Sequence, residues 1–358
     1  GTRTIYLDKL EDAVARFAEG HACATEINHG VNGASIFGTP HLPQVYGPPL
    51  VEFMDLPLLR STDPAHQPHI AVFSDPWPGT SAVYKSATSQ SFSLVQAVEG
   101  AAIVGELVSP IHSGPVGRWD RGSGFVCKLY FGALQSVSDI DLLSGQNLLA
   151  VRCNNTLWEL LQFGAADLVG QNTYRLSRLL RAQLGTEDAM QAGAFAGARV
   201  VLLNSSVERL EIDAGELGLQ LTYRTGPASL GVGDAAFDQS SFMATGRGLR
   251  PLSPVHVRAK RLASGDIKIT WLRRTRIDGD PWEFVDVPLG EDFESYRADI
   301  LNGPTISRQM QTTSAELFYM LSDQISDFGQ VPSQLDLSIQ QISATYGAGT
   351  PVKVTLNV

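Results

Sequence analysis

Cysteine is scarce in this sequence, and its scarcity removes several classes of protein from consideration. The chain has three cysteines, Cys23, Cys127 and Cys153, and an odd number at these spacings fits neither a disulfide framework nor a zinc site. Cys127 and Cys153 lie within apolar, strand-like runs, where a free thiol acts as a small hydrophobic side chain. We therefore expect buried free thiols and synthesis in a reducing cytoplasm.

Long hydrophobic runs and clustered positive charge are also missing. No apolar run approaches the roughly 20 residues that span a bilayer, so no transmembrane segment is expected. Acidic residues outnumber basic ones 37 to 27, which gives a net charge of −10. Because a groove that holds phosphates needs clustered lysine and arginine, tight nucleic-acid binding is not expected. The chain opens in mid-strand without an initiator methionine, and we interpret it as a piece of something longer.

Sequence motifs of catalysis are lacking as well. The chain has no Gly-x-Ser-x-Gly elbow, no His-Glu-x-x-His pair and no phosphate-binding glycine-rich loop followed by lysine. His66 and His69 stand three residues apart near Asp63, but Pro64 and Pro68 prevent a helix from presenting them together. We therefore expect no metal, no cofactor and no enzymatic activity, and a sugar hydrolase that uses a pair of carboxylates is the rival interpretation.

Short strand-like runs separated by turn residues are what the sequence has in abundance. Its 34 glycines and 19 prolines are spread along the chain, which favours a mainly β architecture, with one short helix after Thr186. We predict three parts. Residues 1–47 form a terminal strand and a Gly/Pro-rich linker, residues 48–250 a β-rich region of sandwich or barrel domains, and residues 251–358 an immunoglobulin- or fibronectin-III-like sandwich.

The densest run of charge and aromatics is ITWLRRTRIDGDPWEF, residues 269–284. Side chains alternate along a strand, so Ile267, Ile269 and Trp271 are predicted to face the core of the C-terminal sandwich. The other face is predicted to be charged and solvated, with the cations Lys268, Arg274 and Arg276 offset by Asp278, Asp280 and Asp286. The surplus of arginine at Arg273, Arg274 and Arg276 favours an interface with a neighbouring subunit, because arginine is enriched at interfaces.

Three further tryptophans, Trp77, Trp119 and Trp282, stand beside turn residues. Aromatic side chains on loops can stack on sugar rings, which makes a carbohydrate-binding module a second rival function. The flanking prolines, glycines and charges favour the alternative, in which these side chains wedge between packed domains. Both roles stay open from the sequence.

Several long motifs, in the same order along the chain, resemble one family. They are VEFMDLPLLR, DPWPGTSAVYKS, LLSGQNLLAVR, LWELLQFGAADLVGQNTYRLSRLLRAQLGTEDA, LRPLSPVHVRAKR, DIKITWLRRTRIDGDPWEFVDVPLGEDFESYRADIL and LSIQQISATYGAGTP. From Pro48 onward the chain resembles the C-terminal part of the large tail-tip protein of gene transfer agents and related siphophages, a host-specificity or TIM-barrel-like phage tail protein.

The resemblance implies baseplate hub-like β-domains followed by β-domains at the tip. It implies a trimeric virion component, assembled in the bacterial cytoplasm, that closes the tail tube, meets the recipient envelope and opens for DNA delivery. A host cell-surface glycan is a further candidate partner. This sequence has no (β/α)₈ pattern, so a glycosidase activity of the family's TIM-barrel-like region is not implied here. The expected partners are other baseplate proteins and copies of the chain itself.

Overall fold

Short strands joined by turns make up most of the computed structural model, which describes residues 44–154, 156–279 and 287–358. The predicted opening strand, Trp282, Asp280 and Asp286 lie outside these residues. Residues 46–358 cluster as one compact unit. The described residues contain 21 strands, of which the first thirteen are β1 (Leu50–Met54), β2 (His69–Phe73), β3 (Ser81–Ser86), β4 (Ser93–Val98), β5 (Val104–Leu107), β6 (Phe125–Leu129), β7 (Leu148–Arg152), β8 (Trp158–Gly170), β9 (Thr173–Leu180), β10 (Arg199–Leu202), β11 (Val207–Arg209), β12 (Leu221–Pro227) and β13 (Asp238–Phe242).

The remaining strands build the C-terminal domain. They are β14 (Val255–Arg261), β15 (Ile267–Leu272), β16 (Tyr296–Asn302), β17 (Thr305–Thr312), β18 (Glu316–Tyr319), β19 (Gln334–Ser343), β20 (Gly347–Ala348) and β21 (Val352–Asn357). The α-helices are α1 (Asp139–Leu143), α2 (Glu187–Ala192) and α3 (Leu321–Phe328), and short 3-10 turns cover Gln183–Gly185, Ala214–Glu216 and Arg247–Leu249. Across the described residues, every helix is too short or too polar to traverse a bilayer.

Helix α2 begins where the sequence predicts a helix, but Thr186 does not cap it with its side chain. The Thr186 hydroxyl instead donates to the Gln183 carbonyl at 2.9 Å and accepts from the Leu160 amide at 3.1 Å. The hydroxyl thus ties the helix to strand β8. Helices α1 and α3 were not predicted, because elements of five and eight residues are too short for a helical period to stand out from neighbouring strands.

A closed barrel occupies the middle of the chain, with the strand order β10-β5-β6-β9-β8-β7. Strand β10 closes it by pairing with both β5 and β7, so that Val200 lies opposite Gly105 on one side and Val151 on the other. Alternate residues of each strand point inward, as Phe125, Cys127 and the other buried residues of β6 do. The interior is filled by leucine, phenylalanine, valine and tyrosine side chains, and closure leaves the barrel without a free edge.

Two smaller sheets lie beside the barrel: the first shares a buried cluster with barrel residues, and the second packs against the first. One has the order β1-β2-β11, and the other has the order β13-β12-β3-β4. Strand β2 is buried on both faces: Ala71 packs toward the barrel side with Trp158 and Leu160, whereas Ile70 and Val72 pack with the second sheet. This explains why IAVF, residues 70–73, is apolar throughout instead of alternating.

The C-terminal domain is a sandwich of two antiparallel sheets. One sheet has the order β14-β15-β18, and the other runs β17-β16-β19 and continues to β21, with β20 beside one end of β19. Trp271 lies between them, with its ring centroid 5.1 Å from that of Tyr296 at an interplanar angle of 74°. Inward-facing residues of β15, β16, β18 and β19 form one buried cluster around this pair. The predicted mainly β fold, with a barrel and a C-terminal sandwich of two antiparallel sheets, is confirmed.

Candidate functional site

The arginine-rich run leaves the sandwich at the point where strand β15 ends. The prediction that alternation continues through Arg274 and Arg276 is wrong, because the strand stops at Leu272. Its partner strand ends opposite it at Val255, and the preceding Pro254 has no amide hydrogen to extend the ladder. The arginines therefore lie on a segment that turns toward the barrel, instead of forming a solvated row on the sheet.

Arg274 connects the sandwich to helix α2 of the barrel region. Its Nη1 lies 2.6 Å from Oε1 of Glu187. Its Nε donates to the Ser253 carbonyl at 2.8 Å, and its Nη2 donates to the Ser253 hydroxyl at 2.6 Å. Both charged side chains are at least three-quarters buried, so water screens the pair only partly. This guanidinium fixes the orientation of two segments that are far apart in sequence.

The other two arginines hold the segment that follows them. Arg276 donates through Nε to Glu291 at 3.0 Å and through Nη2 to the Gly290 carbonyl at 3.0 Å. Arg273 donates to the carbonyls of Pro288 and Val287 at 2.6 and 2.9 Å. Among the described residues, the acidic partners of Arg274 and Arg276 are the glutamates Glu187 and Glu291. Asp280 and Asp286, two of the aspartates expected to offset these charges, lie outside the described residues.

Helix α2 receives two further arginines at its first turn. The Asp188 carboxylate accepts from Arg247, and Arg250 lies 3.4 Å from its second oxygen. Burial by itself would raise the pKa of Asp188, but the hydrogen bond and charge of Arg247 outweigh burial and lower that pKa below its ordinary value. Glu187 and Asp188 together anchor Arg247, Arg250 and Arg274, which come from the connecting segment and the sandwich.

A cleft of about 920 Å³ lies at this junction. Its cationic lining is Arg181, Arg247, Arg250, Arg274 and Arg276. Each of these guanidinium groups already has a carboxylate partner within the chain. The cleft is therefore a charge-compensated contact between domains, in which no guanidinium is left unpaired for an external anion. Its arrangement suits mechanical coupling of the barrel and the sandwich.

One wall of the cleft contains a fully buried ion pair. Arg181 contacts both carboxylate oxygens of Glu159, at 2.6 and 2.8 Å, and also donates to the His112 carbonyl at 2.9 Å. The backbone beyond it is left-handed at Ala182, with φ 52°, and at Leu184, with φ 53°. Left-handed backbone is costly for side-chain-bearing residues, so the surrounding contacts must hold this segment in place.

The predicted tryptophans fall in different places. Trp271 is buried in the sandwich core. Trp77 packs against the apolar core of the sheet β13-β12-β3-β4. Trp119 is half-buried and lines a separate, shallow cleft on the barrel. Trp282 lies outside the described residues. The three of these tryptophans that the structure describes therefore do not share one site.

The two histidines considered as metal ligands also separate. The His66 ring contacts the Ile212 carbonyl at 3.1 Å, whereas His69 begins strand β2 and is buried. Burial lowers the pKa of His69 to about 4. Within residues 44–154, 156–279 and 287–358, no group of three or more histidines, cysteines or acids is placed to hold a metal ion. Cys127 and Cys153 are buried as predicted, and burial raises the pKa of both thiols to about 12.

Sequence reasoning missed the docking role of the Glu187–Asp188 pair and the buried Glu159–Arg181 pair. The first pair was visible as the acidic start of a helix, but the sequence holds no sign that three distant arginines converge on it. The second pair lies in the runs LWELLQF and YRLSRLLR. Glu159 is the single charge in the first run, which was a signal of a buried charge, but the second run has three arginines and the sequence does not mark Arg181 as the buried one.

Residues 102–201 match the family model described as Rcc01698-like, C-terminal, a domain of phage and gene transfer agent type. The match begins just before β5 and ends within β10, so it coincides with the closed barrel. No curated protein matches the chain.

Among solved structures, domains d3–d4 of the rat CD45 extracellular region are similar at 13% identity, covering 44% of this chain and 72% of that one, with a TM-score of 0.23. The FN5 domain of Drosophila Lar is 16% identical, covers 30% and 96%, and has a TM-score of 0.19. The FN1–FN3 domains of chicken CNTN1 are 10% identical, cover 87% and 100%, and have a TM-score of 0.21. At these TM-scores the similarity carries no argument about this chain, and the fold assignment stands on its strand pairing.

Proposed function

We propose that this chain is a structural component of the tail tip or baseplate of a gene transfer agent or siphophage. The observation that carries the proposal is the coincidence of the matched family domain, residues 102–201, with the closed barrel, β5 to β10. A match that covers one complete structural unit is a sounder basis for assigning the family's role to this chain than a match that begins or ends in the middle of a domain.

The geometry of the junction supports a load-bearing role. Three arginines from the connecting segment and the sandwich converge on the adjacent acids Glu187 and Asp188 at the start of α2. A partly buried network of this kind fixes the relative position of two domains more firmly than a flexible linker does. The two described thiols are buried and protonated at neutral pH, so neither has the thiolate that a cysteine nucleophile requires.

In this role the chain assembles with copies of itself, as a trimer, and with other baseplate proteins in the virion. It helps to close the tail tube, attaches to the recipient envelope and lets DNA pass. The net charge of −10 fits the last task, because an acidic surface does not retain a polyanion through counterion release. A gel shift at low salt should therefore show no duplex binding by the chain.

Localisation in assembled particles tests the proposal directly. Particles made by cells that express an epitope-tagged chain should show immunogold label at the tip of the tail, and removal of the chain should leave particles that cannot deliver DNA. The matched control is the same tag on a major head protein of those particles, which should place label on the capsid. Label on the capsid from the tagged chain, or delivery that persists without the chain, contradicts the proposal.

A further inference from the structure

A second cleft, on the barrel itself, is built around Trp119. It encloses about 450 Å³ and is lined by Trp119, Arg121, Gly122, Asp139, Ser177 and Arg178. It lies where the loop between β5 and β6 crosses strand β9, and none of the arginines at the junction cleft lines it. Its lining combines one aromatic ring with hydroxyl, carboxylate and guanidinium groups, which is a different chemistry from the paired charges at the junction.

The loop that carries Trp119 is held firmly against the barrel. The next residue, Asp120, exchanges two backbone hydrogen bonds with Leu179 of β9, at 2.8 and 3.0 Å. The Asp120 carboxylate also accepts from the Gly122 amide at 3.0 Å, which closes the turn. Because the backbone on the C-terminal side of Trp119 is fixed in this way, little ordering of the loop is needed when a ligand contacts the indole ring.

Arg178 is placed in the cleft by an unusual backbone conformation. It lies within strand β9 but has a φ of 54°, in the left-handed region that arginine rarely adopts. Its guanidinium pairs with Asp139 and lies 5.9 Å from the centroid of the Trp119 ring. On the neighbouring strand, a Cβ added to Gly164 would approach the Arg178 Cζ to 3.1 Å, so glycine leaves the room that this side chain uses. Strained backbone that aims a side chain into a cleft is typical of binding sites.

The charge of the cleft is not balanced. Asp139 neutralises Arg178. Arg121, by contrast, is exposed, and in the part of the chain that the structure describes it has no ion-pair partner. The cleft therefore presents one uncompensated cation beside an aromatic ring, with the Ser177 hydroxyl and the Asp139 carboxylate available for hydrogen bonds. An aromatic platform with these groups suits a ring that has an apolar face, several hydroxyls and one negative charge.

We propose that this cleft binds an acidic saccharide, a sugar residue that carries a carboxylate. The sugar ring stacks on the face of Trp119 opposite the Arg178 guanidinium, its carboxylate pairs with Arg121, and its hydroxyls bond to Ser177 and Asp139. The proposal goes beyond the structural role in a tail tip and does not depend on it, because it rests on the geometry of the Trp119 cleft. No covalent step is involved, and the activity is binding alone.

Titration of the full chain with two tetrasaccharides tests the proposal. Tetragalacturonic acid should give saturable binding by calorimetry and saturation-transfer NMR, whereas maltotetraose, which lacks carboxylates, should bind at least about tenfold more weakly. Arg121→Glu should weaken binding of the acidic sugar about tenfold or more and leave the far-UV circular dichroism unchanged, because Arg121 is exposed. Trp119→Ala should weaken binding of both sugars, since it removes the platform that they share.

The matched control is Phe318→Ala in the sandwich. Phe318 is also a partly exposed aromatic with a cation over its ring, with Lys268 Nζ at 5.4 Å, but it does not line the Trp119 cleft. This variant should bind tetragalacturonic acid like the parent chain. The proposal is overturned if the acidic sugar does not bind, if the two sugars bind equally, or if Arg121→Glu binds like the parent. If Trp119→Ala fails to fold, Arg121→Glu alone decides.

Discussion

The barrel and the C-terminal sandwich bury the apolar faces of their sheets in different ways. In the barrel, β10 pairs with β5 and β7, so every strand has two neighbours and the interior is enclosed by one sheet. In the sandwich, two separate sheets cover each other, and β14, β18, β17 and β21 are edge strands. The barrel depends on a pairing between distant strands, whereas much of the sandwich comes from strands that follow one another along the chain.

The two domains also differ in what they bury beside hydrophobic residues. The barrel region contains the Glu159–Arg181 pair, whose side chains are 0% and 3% exposed. The sandwich core is a layer of isoleucine, leucine and tyrosine around Trp271, and its ion pairs lie nearer the surface. A buried ion pair specifies one arrangement at a cost in desolvation, whereas an apolar core contributes stability directly. In the barrel, a second substitution that removes the partner charge should therefore restore stability lost by the first. In the sandwich core, the lost apolar contacts have no such compensating partner.

The largest effect is expected from Trp271→Ala. Removing this buried ring should destabilise the sandwich by about 3–5 kcal/mol, because the site cannot collapse fully around the space that is left. Native-state hydrogen exchange should show faster exchange of the amides of β15 and β16, with those of β6 and β9 little changed. Unchanged exchange in the sandwich would contradict the placement of Trp271 in its core.

A comparable cost is expected from Arg181→Ala on the barrel side. The substitution leaves the Glu159 carboxylate buried without its partner, which typically costs about 3–5 kcal/mol. The double variant Arg181→Met with Glu159→Leu removes both charges and should recover most of that loss, as measured by denaturant unfolding. If the double variant does not recover stability, the loss in Arg181→Ala does not come from the unpaired Glu159 carboxylate alone.

His69 provides a pH test that involves neither domain core. Burial lowers the pKa of His69 to about 4 from an ordinary value of 6.5, so between these values the unfolded chain binds a proton that the folded chain does not. Stability should therefore be full above pH 6.5 and should fall by on the order of 3 kcal/mol as the pH drops toward 4. His69→Gln should remove this part of the slope, and His256→Gln, at an exposed position of the sandwich, should leave it in place.

A smaller effect is expected at the junction between the domains. Arg274→Gln removes the contact with Glu187 and should cost about 1–2 kcal/mol, since both side chains are largely buried. The informative measurement is coupling: after the substitution, unfolding of the sandwich should separate from that of the barrel in hydrogen exchange. Unfolding that stays concerted would show that other contacts hold the domains together.

The smallest effect is expected at Lys268, which pairs with Glu316 at 2.8 Å on the sandwich surface. Lys268→Ala should change the free energy of unfolding by less than about 0.5 kcal/mol, because more than a third of each side chain is exposed and water screens the pair. Thermal melts of this variant and of Arg274→Gln compare an exposed ion pair with a largely buried one. If Lys268→Ala lowers the melting temperature as much as Arg274→Gln does, burial does not decide how much an ion pair contributes to the stability of this protein.

The architecture was predictable because its signals are local. Alternation in IKITW placed Ile267, Ile269 and Trp271 on one face, and that face is buried. The end of β15 was not predictable from the same run, because it depends on where the partner strand stops. The arginine cluster was predicted as an interface with a neighbouring subunit, and that role stays a prediction. What the structure adds is that Arg274 reaches Glu187 of the same chain.

The sequence by itself determined that this protein is mainly β, that Cys127 and Cys153 are buried and that its last hundred or so residues alternate as a sandwich does. Those features follow from side-chain polarity at a spacing of two residues and from turn residues between strands. Closure of the barrel, the pairing of Arg181 with Glu159 and the Trp119 cleft were decided only by the tertiary structure. Each joins groups more than 20 residues apart, and a pairing of that range leaves no local pattern, because its free energy depends on which other segments have already come together.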